Sequence, residues 1–297
     1  MGTLLVIRYP TNMFAQLADH TYVSCGTGGA AWSCWGGKTG GTELRQGIGS
    51  TAQADAIAEP NERGGITCYL INGVCHQAAN RILFPAGITA RGARGYDVSE
   101  ALFGTYGRPR GALGLCQAPF NQHTIVTGDV PACVETTAMR SRGARTKAGA
   151  RARAEHALER KYIRGVLAIY DKAEPTLKST ARALTGPDLE GFQLKLFMYK
   201  VQYQLRSQLD KSVSRKVQDI RLSAERSRMK IEEWFHQKEM KTDEFVKAFN
   251  KETILFQEAA ANALKAHQYK ALFGLTPGET IILADPRIVK QAYPDSQ

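Results

Sequence analysis

The chain has 297 residues, with 39 Lys and Arg against 28 Asp and Glu, and 43% of its residues are hydrophobic. That length suits one large domain or two ordinary ones, and the apolar content excludes a mainly disordered chain. The sequence has no run of about 18 apolar residues, so we expect no transmembrane segment.

The sequence begins with a short apolar run, residues 4–9, that lacks the basic flank of a signal peptide. We interpret this run as a β-strand and expect a cytoplasmic protein. In a reducing compartment the six cysteines are expected to be free thiols. The sequence also lacks a phosphate-binding Gly-x-x-x-x-Gly-Lys loop and a dinucleotide-binding pattern, so we predict no cofactor.

The composition changes near residue 140. Of the 28 glycines, 23 precede residue 150, and all six cysteines precede residue 134. Residues 1–140 carry 10 basic and 9 acidic side chains, whereas residues 141–297 carry 29 and 19. We therefore predict an α+β protein of two domains, a neutral cysteine-bearing domain at 1–140 and a basic helical domain at 141–297.

In the first half, short apolar runs alternate with glycine clusters, a pattern typical of strands joined by turns. The pattern predicts a helix that begins near Gly73 and a second short helix at residues 98–103, with Asp97 or Ser99 as its N-cap. The predicted strands are residues 4–9, 21–25, 31–35 and 66–70.

The second half is typical of helices almost throughout, since residues 192–273 contain neither glycine nor proline. A first helix is predicted at about residues 146–172, ending before Pro175. A long helix follows, and an N-cap with an acidic first turn predicts a new helix at Thr242. That last helix is expected to end at Gly274.

These helices are expected to pack as a hairpin or bundle, and residues 280–284 are expected to add a short strand. An apolar stripe on the long helix indicates either an intrachain core or a dimer seam, which makes a homo-oligomer one expectation. The stripe consists of Leu205, Leu209, Val213, Val217, Ile220 and Ala224.

Residues 140–164 form a strongly basic segment with only two acidic side chains. Such a segment can bind the phosphate groups of nucleic acid or of an anionic membrane. It can equally be a solvated linker that leads into the polar face of a helix, and no recognition module accompanies it. Its basic residues are Arg140, Arg142, Arg145, Lys147, Arg151, Arg153, Arg160, Lys161 and Arg164.

His20 and Cys75 are the candidate catalytic residues. His20 lies where a strand is predicted to begin, and Cys75 lies in the first turn of the predicted helix. There the free backbone N–H groups and the positive end of the helix dipole stabilise a thiolate. The same N–H groups can hold an oxyanion when the thiolate attacks a carbonyl, while a histidine beside the sulfur serves as base and then as acid.

The order of these residues resembles that of circularly permuted papain-like folds, in which a histidine opens a strand, a glycine-rich aromatic hairpin follows and a cysteine begins a helix. These folds include permuted NlpC/P60 proteins, lecithin:retinol acyltransferase relatives and PPPDE isopeptidases. The PPPDE type is the most similar, through His20-Thr21, residues 35–37 and residues 72–80. The resemblance covers about residues 15–90. It implies a papain-like domain with Cys75 as nucleophile and His20 as base.

Two positions depart from the family pattern, since Val74 and Ala78 stand where the family has an asparagine and an aromatic residue. A third orienting group is left open among Asp19, Asp97 and His123. Other residues are candidates for orienting the dyad or binding substrate, or are packing residues with no role in chemistry. They are His76, Gln77, Asn80, Trp35, Tyr96 and Tyr106.

The remaining cysteines are expected to be structural, with Cys68 a core thiol and Cys116 and Cys133 without a chemical role. Cys25 and Cys34 flank a glycine-rich turn. A zinc site built from these thiols and His20 lacks any Cys-x-x-Cys spacing, so no metal is predicted.

We therefore expect a cysteine-dependent hydrolase or acyltransferase that works through a thioester on an amide, isopeptide or ester bond. The expected substrate is a peptide, a protein or an acyl-amide. The alternative is a non-catalytic binding protein whose basic helical half contacts nucleic acid or an acidic partner. An effector or toxin whose helices drive delivery is a third possibility.

Overall fold

The computed structural model describes residues 2–10, 16–26, 30–58, 64–66, 68–108, 147–179, 186–206 and 209–294. This part of the chain is mixed α+β and mostly helical, with one four-stranded antiparallel sheet and nine α-helices. The predicted α+β class is confirmed at that level. His123, Cys116, Cys133 and the start of the basic segment, residues 140–146, lie outside the described residues.

The sheet has the strand order β3-β2-β1-β4, so β1 and β2 are its central strands. The side chains of Leu4, Val6 and Val23 on these central strands are fully buried in one hydrophobic cluster. The strands are β1 (Gly2–Tyr9), β2 (His20–Cys25), β3 (Ala31–Trp32) and β4 (Thr42–Gly49). Three of them were predicted, and His20 does begin a strand.

The sequence pattern missed β4 and wrongly predicted a strand at 66–70. The first half of β4 is exposed or half-buried, so it carries no clear apolar alternation. Its last residue, Gly49, packs so closely that a Cβ there would lie 2.7 Å from the Pro85 backbone. Residues 68–73 instead form a turn closed by an isolated bridge between Tyr69 and Gly73.

Three helices lie between the sheet and residue 108. The helix predicted near Gly73 is α2, which begins at Cys75, is buried along its whole length and packs against β2. The next predicted helix is also present, but its N-cap is Gly95 rather than Asp97 or Ser99. The helices are α1 (Thr51–Ala58), α2 (Cys75–Ile82) and α3 (Tyr96–Phe103), with a 3₁₀ turn at Phe84–Ala86.

Six helices follow. A helix begins at Thr242 and one ends before Gly274, as predicted, but these are two helices rather than one, because the first ends at Ala263 and the second begins at Ala266. The N-cap of the first is Lys241 rather than Thr242. The first helix continues past Pro175, which removes one backbone donor without ending it. No helix of the described residues is long and apolar enough to cross a membrane. The helices are α4 (Lys147–Ser179), α5 (Gly186–Leu205), α6 (Lys211–His236), α7 (Thr242–Ala263), α8 (Ala266–Phe273) and α9 (Pro286–Ala292).

The apolar stripe does not lie on one helix, because the helical backbone is interrupted between α5 and α6. Arg206 adopts a positive φ of 45°, and Asp210 becomes the N-cap of α6. Leu205, Val217 and Ala224 are nevertheless buried in the same cluster, so the stripe belongs to the intrachain core.

One hydrophobic cluster spans both sides of the predicted domain boundary. It contains Cys75 and Phe103 from the first half together with Phe197, Phe249 and Leu283 from the second. The rings of Phe103 and Phe249 stack with centroids 6.1 Å apart. The described residues before 109 and after 146 therefore share a core rather than forming two independent ones.

Candidate active site

The fold brings His20 and Cys75 together although 55 positions separate them in the chain. β2 begins at His20, α2 begins at Cys75, and α2 packs against β2. Both side chains line a cavity of about 20 Å³, where Cys75 is 5% and His20 is 7% exposed. The Cys75 thiol points back to β2, since its Sγ lies 3.8 Å from the carbonyl oxygen of Asp19.

Cys75 is the first residue of α2, and the hydrogen bonds around it leave two backbone donors free. Val74 precedes the helix, and its N–H donates to Oε1 of Gln77 at 3.1 Å. Its carbonyl accepts from the N–H groups of Gln77 and Ala78 at 3.1 and 3.2 Å. Among the described residues nothing accepts from the N–H groups of Cys75 and His76. These two donors are therefore available to an oxyanion formed beside the sulfur.

The imidazole of His20 is held through Nε2. This atom lies 3.0 Å from the carbonyl oxygen of Gly37 and 3.2 Å from Oγ of Ser33, whose hydroxyl donates to the carbonyl of Trp35 at 3.1 Å. A carbonyl oxygen only accepts, so Nε2 must carry a hydrogen. Nδ1 is buried and has no hydrogen-bond partner of standard geometry in the described part of the chain. It is the ring nitrogen left to serve Cys75.

The glycine-rich aromatic segment noted in the sequence forms the loop that supports this ring. Gly36 has a φ of 91°, and a Cβ at that position would lie 3.4 Å from Cε1 of His20. A side chain there would strain the backbone and press on the imidazole. Trp35 is partly buried against the core cluster that contains Cys75. We infer that Trp35 anchors the loop.

The two groups shift each other's pKa in opposite directions. Burial alone would raise the pKa of Cys75, but the neighbouring imidazole of His20 and Thr21 lower it below the usual thiol value. Burial would lower the pKa of His20, but Cys75, the Gly37 carbonyl and the charge of Asp285 raise it. Both directions favour a thiolate–imidazolium pair.

His76 is fully buried and has no free ring nitrogen for catalysis. Its Nδ1 lies 2.8 Å from Oγ of Ser99, and its Nε2 lies 3.1 Å from the carbonyl oxygen of Asp19. Burial lowers its pKa to about 4, so the imidazole is neutral at pH 7. His76 therefore ties α2 and α3 to the residue that precedes His20, rather than acting as the base.

The pKa of His76 predicts a pH-dependent stability. The unfolded chain binds a proton near pH 6.5, whereas the folded protein resists protonation until about pH 4. Stability is therefore present above pH 6.5 and is lost as the pH falls. We expect His76 to contribute a fall of about 3 kcal/mol in the free energy of unfolding between pH 7 and pH 4.

Urea unfolding of the wild type and of His76→Gln at several pH values measures this contribution. The difference in stability between the two proteins should shift in favour of the variant as the pH falls. Two pH profiles that stay parallel would show that His76 is not the neutral, buried group of the structure.

The other polar residues singled out in the sequence have structural contacts. Gln77 donates to the carbonyl of Gly104 at 3.1 Å, besides capping α2. Asn80 donates to the carbonyl of Thr105 at 2.6 Å and accepts from the N–H of Ala90 at 2.7 Å.

The two tyrosines that were predicted to bind substrate also have structural contacts. Tyr96 donates to Glu100 at 3.1 Å, and Tyr106 packs edge-on against Phe84 and Tyr170. Both tyrosines are buried and neither lines the cavity. Their predicted substrate-binding role is not supported by their positions.

The acidic residue best placed to act as a third catalytic residue is Asp285, near the end of the sequence. Asp285 lines the cavity and is buried, with its carboxylate paired to Arg287 at 2.9 Å, whereas Asp97 is outside the cavity lining and pairs with Lys200 at 2.9 Å. Asp19 contributes its backbone carbonyl to the site, while its carboxylate accepts from the N–H of Arg94 at 2.9 Å. The Asp-Pro pair at 285–286 signals a helix start, but nothing local in the sequence places it beside His20.

The other thiols differ from Cys75. Cys25 and Cys34 form no disulfide, whereas Cys68 is disulfide-bonded, so its predicted state as a free thiol is wrong. Burial and the charge of Asp55 raise the pKa of Cys25. In the described ranges no group of three or more His, Cys, Asp or Glu residues is placed to hold a metal ion.

The described part of the basic segment belongs to α4. Its Glu159 is buried and accepts from Arg45 at 2.7 Å and from the hydroxyl of Thr89 at 2.6 Å, which fixes the helix against β4. Lys161 and Arg164 face solvent. These positions are those of a solvated helix face.

The site has the parts needed for nucleophilic acyl transfer: a thiol, an imidazole oriented by a carbonyl, and two helix-start N–H groups. A comparison of the chain with known proteins finds no matching family model, no matching curated protein and no matching solved structure.

Proposed function

We propose that the protein is a cysteine-dependent hydrolase or acyltransferase that acts on an amide, isopeptide or ester bond. The observation that carries this proposal is the orientation of His20. Its Nε2 is committed to the Gly37 carbonyl, which leaves Nδ1 for a thiol at the start of a helix. The order of histidine strand, glycine-rich loop and cysteine helix also supports a permuted papain-like domain.

In the first step the Cys75 thiolate attacks the carbonyl carbon of the substrate. A C–S bond forms, and the carbonyl electron pair moves to the oxygen, which accepts from the N–H groups of Cys75 and His76. The bond to the leaving group then breaks, and the leaving nitrogen or oxygen takes the proton of the His20 imidazolium. The product of this step is a thioester on Cys75 and a neutral His20.

In the second step water or another acceptor attacks the thioester. Neutral His20 takes the proton of the attacking group, the C–S bond breaks, and its electron pair returns to the sulfur. The thiolate–imidazolium pair is thereby restored. Hydrolysis and acyl transfer use the same residues and differ only in the acceptor.

The test is alkylation by limiting iodoacetamide at pH 6, followed by intact-mass analysis and peptide mapping. The pKa of Cys75 is lowered and that of Cys25 is raised, so Cys75 has the larger thiolate fraction and we expect the modification to concentrate there. Replacing His20 with alanine removes the group that lowers the pKa of Cys75. We expect the rate of modification at Cys75 to fall by about tenfold or more.

The exposed His236 provides the matched control, since His236→Ala removes an imidazole far from the cavity. The reagent needs the same opening of the cavity in all three proteins, so the ratio of their modification rates reports on the thiolate fraction of Cys75. Equal rates in the wild type and in His20→Ala would rule out the dyad.

A further inference from the structure

Residues 280–293, here called the C-terminal strap, cross the mouth of the cysteine cavity. Leu283, Asp285 and Ile288 of the strap line the cavity together with His20 and Cys75. The enclosed space is about 20 Å³, which is room for roughly one water molecule. No peptide or acyl group can reach the thiol while the strap lies in this position.

The strap lies beside the chain that leads into β2. Its Ile282 forms an isolated parallel bridge with Leu17. The N–H of Ile282 donates to the carbonyl of Gln16 at 2.9 Å, and the carbonyl of Ile282 accepts from the N–H of Ala18 at 3.0 Å. An extended segment therefore already pairs with the backbone that precedes His20 by two residues.

Two amide side chains of α7 clamp the strap from the other side. Gln257 donates to the carbonyl of Ile281 at 2.7 Å and accepts from its N–H at 2.9 Å. Asn250 holds Ala284 in the same two-point manner, with both distances at 3.0 Å. These four hydrogen bonds involve only backbone groups of the strap, so they hold an extended chain of any sequence.

The strap fills the cavity mouth without presenting a bond to the nucleophile. The carbonyl of Leu283 accepts from the hydroxyl of Tyr69 at 3.2 Å. The carbonyls of residues 281, 282 and 284 are held by Gln257, Ala18 and Asn250. The carbonyls of residues 281–284 are therefore all turned to donors other than the oxyanion-binding N–H groups.

We propose that the C-terminal strap is an autoinhibitory occupant of the substrate cleft, and that the cleft accepts an extended peptide with apolar side chains. This inference rests on the proposed cysteine chemistry. When the strap leaves, the carbonyl of Gln16, the N–H of Ala18 and the amides of Asn250 and Gln257 lose their bonds to it and can bind the backbone of a substrate. The space left by Leu283 and Ile288 would take its apolar side chains.

The experiment weakens the clamp and measures access to Cys75. The variant is Asn250→Ala combined with Gln257→Ala, and the reagent is a maleimide carrying a biotin linker, which is far larger than the cavity. We expect modification of Cys75 to become at least tenfold faster than in the wild type. A peptide with the sequence of residues 278–290, added in excess, is expected to reverse this gain.

The matched control is Thr253→Ala, which lies on α7 between the two clamp residues. The hydroxyl of Thr253 donates within the helix to the carbonyl of Phe249 at 2.9 Å, so its loss should leave strap access within about twofold of the wild type. A clamp variant that behaves like this control would overturn the strap proposal.

The strap and the dyad are separated by adding His20→Ala to the clamp variant. If the clamp mutations speed modification but the histidine has no effect, the strap proposal holds and the proposed chemistry fails. If the histidine matters for iodoacetamide in the wild type but the clamp mutations do nothing, the chemistry holds and the strap proposal fails.

Hydrogen–deuterium exchange of the wild type gives a measurement that does not depend on the variants folding. An autoinhibitory strap must open without global unfolding. We expect the N–H groups of Ala18 and Ile282 to exchange faster than those in the buried strand β2. Exchange of all of them only through global unfolding would show that the strap is a fixed part of the core.

Discussion

Replacement of Arg108 by methionine is expected to lower the free energy of unfolding by about 3–5 kcal/mol, because it leaves buried carboxylates without their partner. The guanidinium of Arg108 is fully buried. Its Nη1 donates to both carboxylate oxygens of Glu232 at 2.7 Å and to the carbonyl of Ile71 at 3.1 Å, while Nη2 pairs with Glu225. Arg108 thereby links Glu225 and Glu232 of α6 to the turn that leads into α2.

Glu225 and Glu232 differ in how many charged partners they keep when Arg108 is replaced. Glu225 retains Arg221 at 2.7 Å and Arg228 at 2.9 Å. Glu232 retains only Arg228, at 3.3 Å. Burial already raises the pKa of Glu232 above its ordinary value despite Arg108. The removal of Arg108 therefore destabilises this carboxyl more than that of Glu225.

Urea unfolding at pH 7 measures the effect, with Arg226→Met as the matched control. Arg226 lies on α6, the helix of Glu225 and Glu232, and pairs with Glu190 at 3.0 Å, but its side chain is 62% exposed. Such a pair contributes about 0–1 kcal/mol. Adding Glu232→Gln to Arg108→Met should recover part of the stability, since it removes the uncompensated charge. A loss at Arg108 no larger than at Arg226 would contradict the buried network.

The local parts of the site could be predicted from the sequence. The strand at His20, the helix start at Cys75 and the glycine-rich loop between them follow from spacing and turn chemistry within short windows. Their order along the chain was enough to suggest which histidine faces which thiol. The role of Gly37, which depends on a backbone carbonyl, leaves no mark in the sequence.

The long-range parts could not be predicted in this way. Arg108 and Glu232 meet across 124 positions, and Tyr69 and Leu283 meet across 214. Nothing in a local window pairs such residues, since only the completed fold brings them together. The change in composition near residue 140 is real, but it does not show that α5 and α8 pack against α3.

The state of the cysteines illustrates the same limit. Composition and the missing signal-peptide pattern favoured free thiols, yet Cys68 is disulfide-bonded. The sequence distinguishes Cys75 from the other cysteines only by its position at the start of a helix. The structure adds the feature that matters for reactivity, which is the imidazole of His20 in the same small cavity as the sulfur.

In the Asn250→Ala/Gln257→Ala clamp variant, the acylation of Cys75 is expected to depend on His20 by a factor of about 10²–10⁴, the usual contribution of a positioned acid–base group. The probes are acetyl-leucine p-nitrophenyl ester and acetyl-leucine p-nitroanilide, with the acyl adduct followed by intact mass. Adding Cys75→Ala to the clamp variant should abolish the adduct. Adding Cys34→Ala, which removes another buried thiol of the same core cluster, should leave the rate of the clamp variant unchanged.

The pH profiles of the two probes separate the two roles of His20. Formation of the thiolate gives both probes a rising limb at the lowered pKa of Cys75, below the usual thiol value. The anilide must receive a proton as it leaves, so its rate should fall again as the pH passes the raised pKa of His20. The nitrophenolate leaves as a stable anion and should show no such fall. Two identical profiles would mean that His20 only stabilises the thiolate, whereas a bell for the anilide alone identifies it as the proton donor.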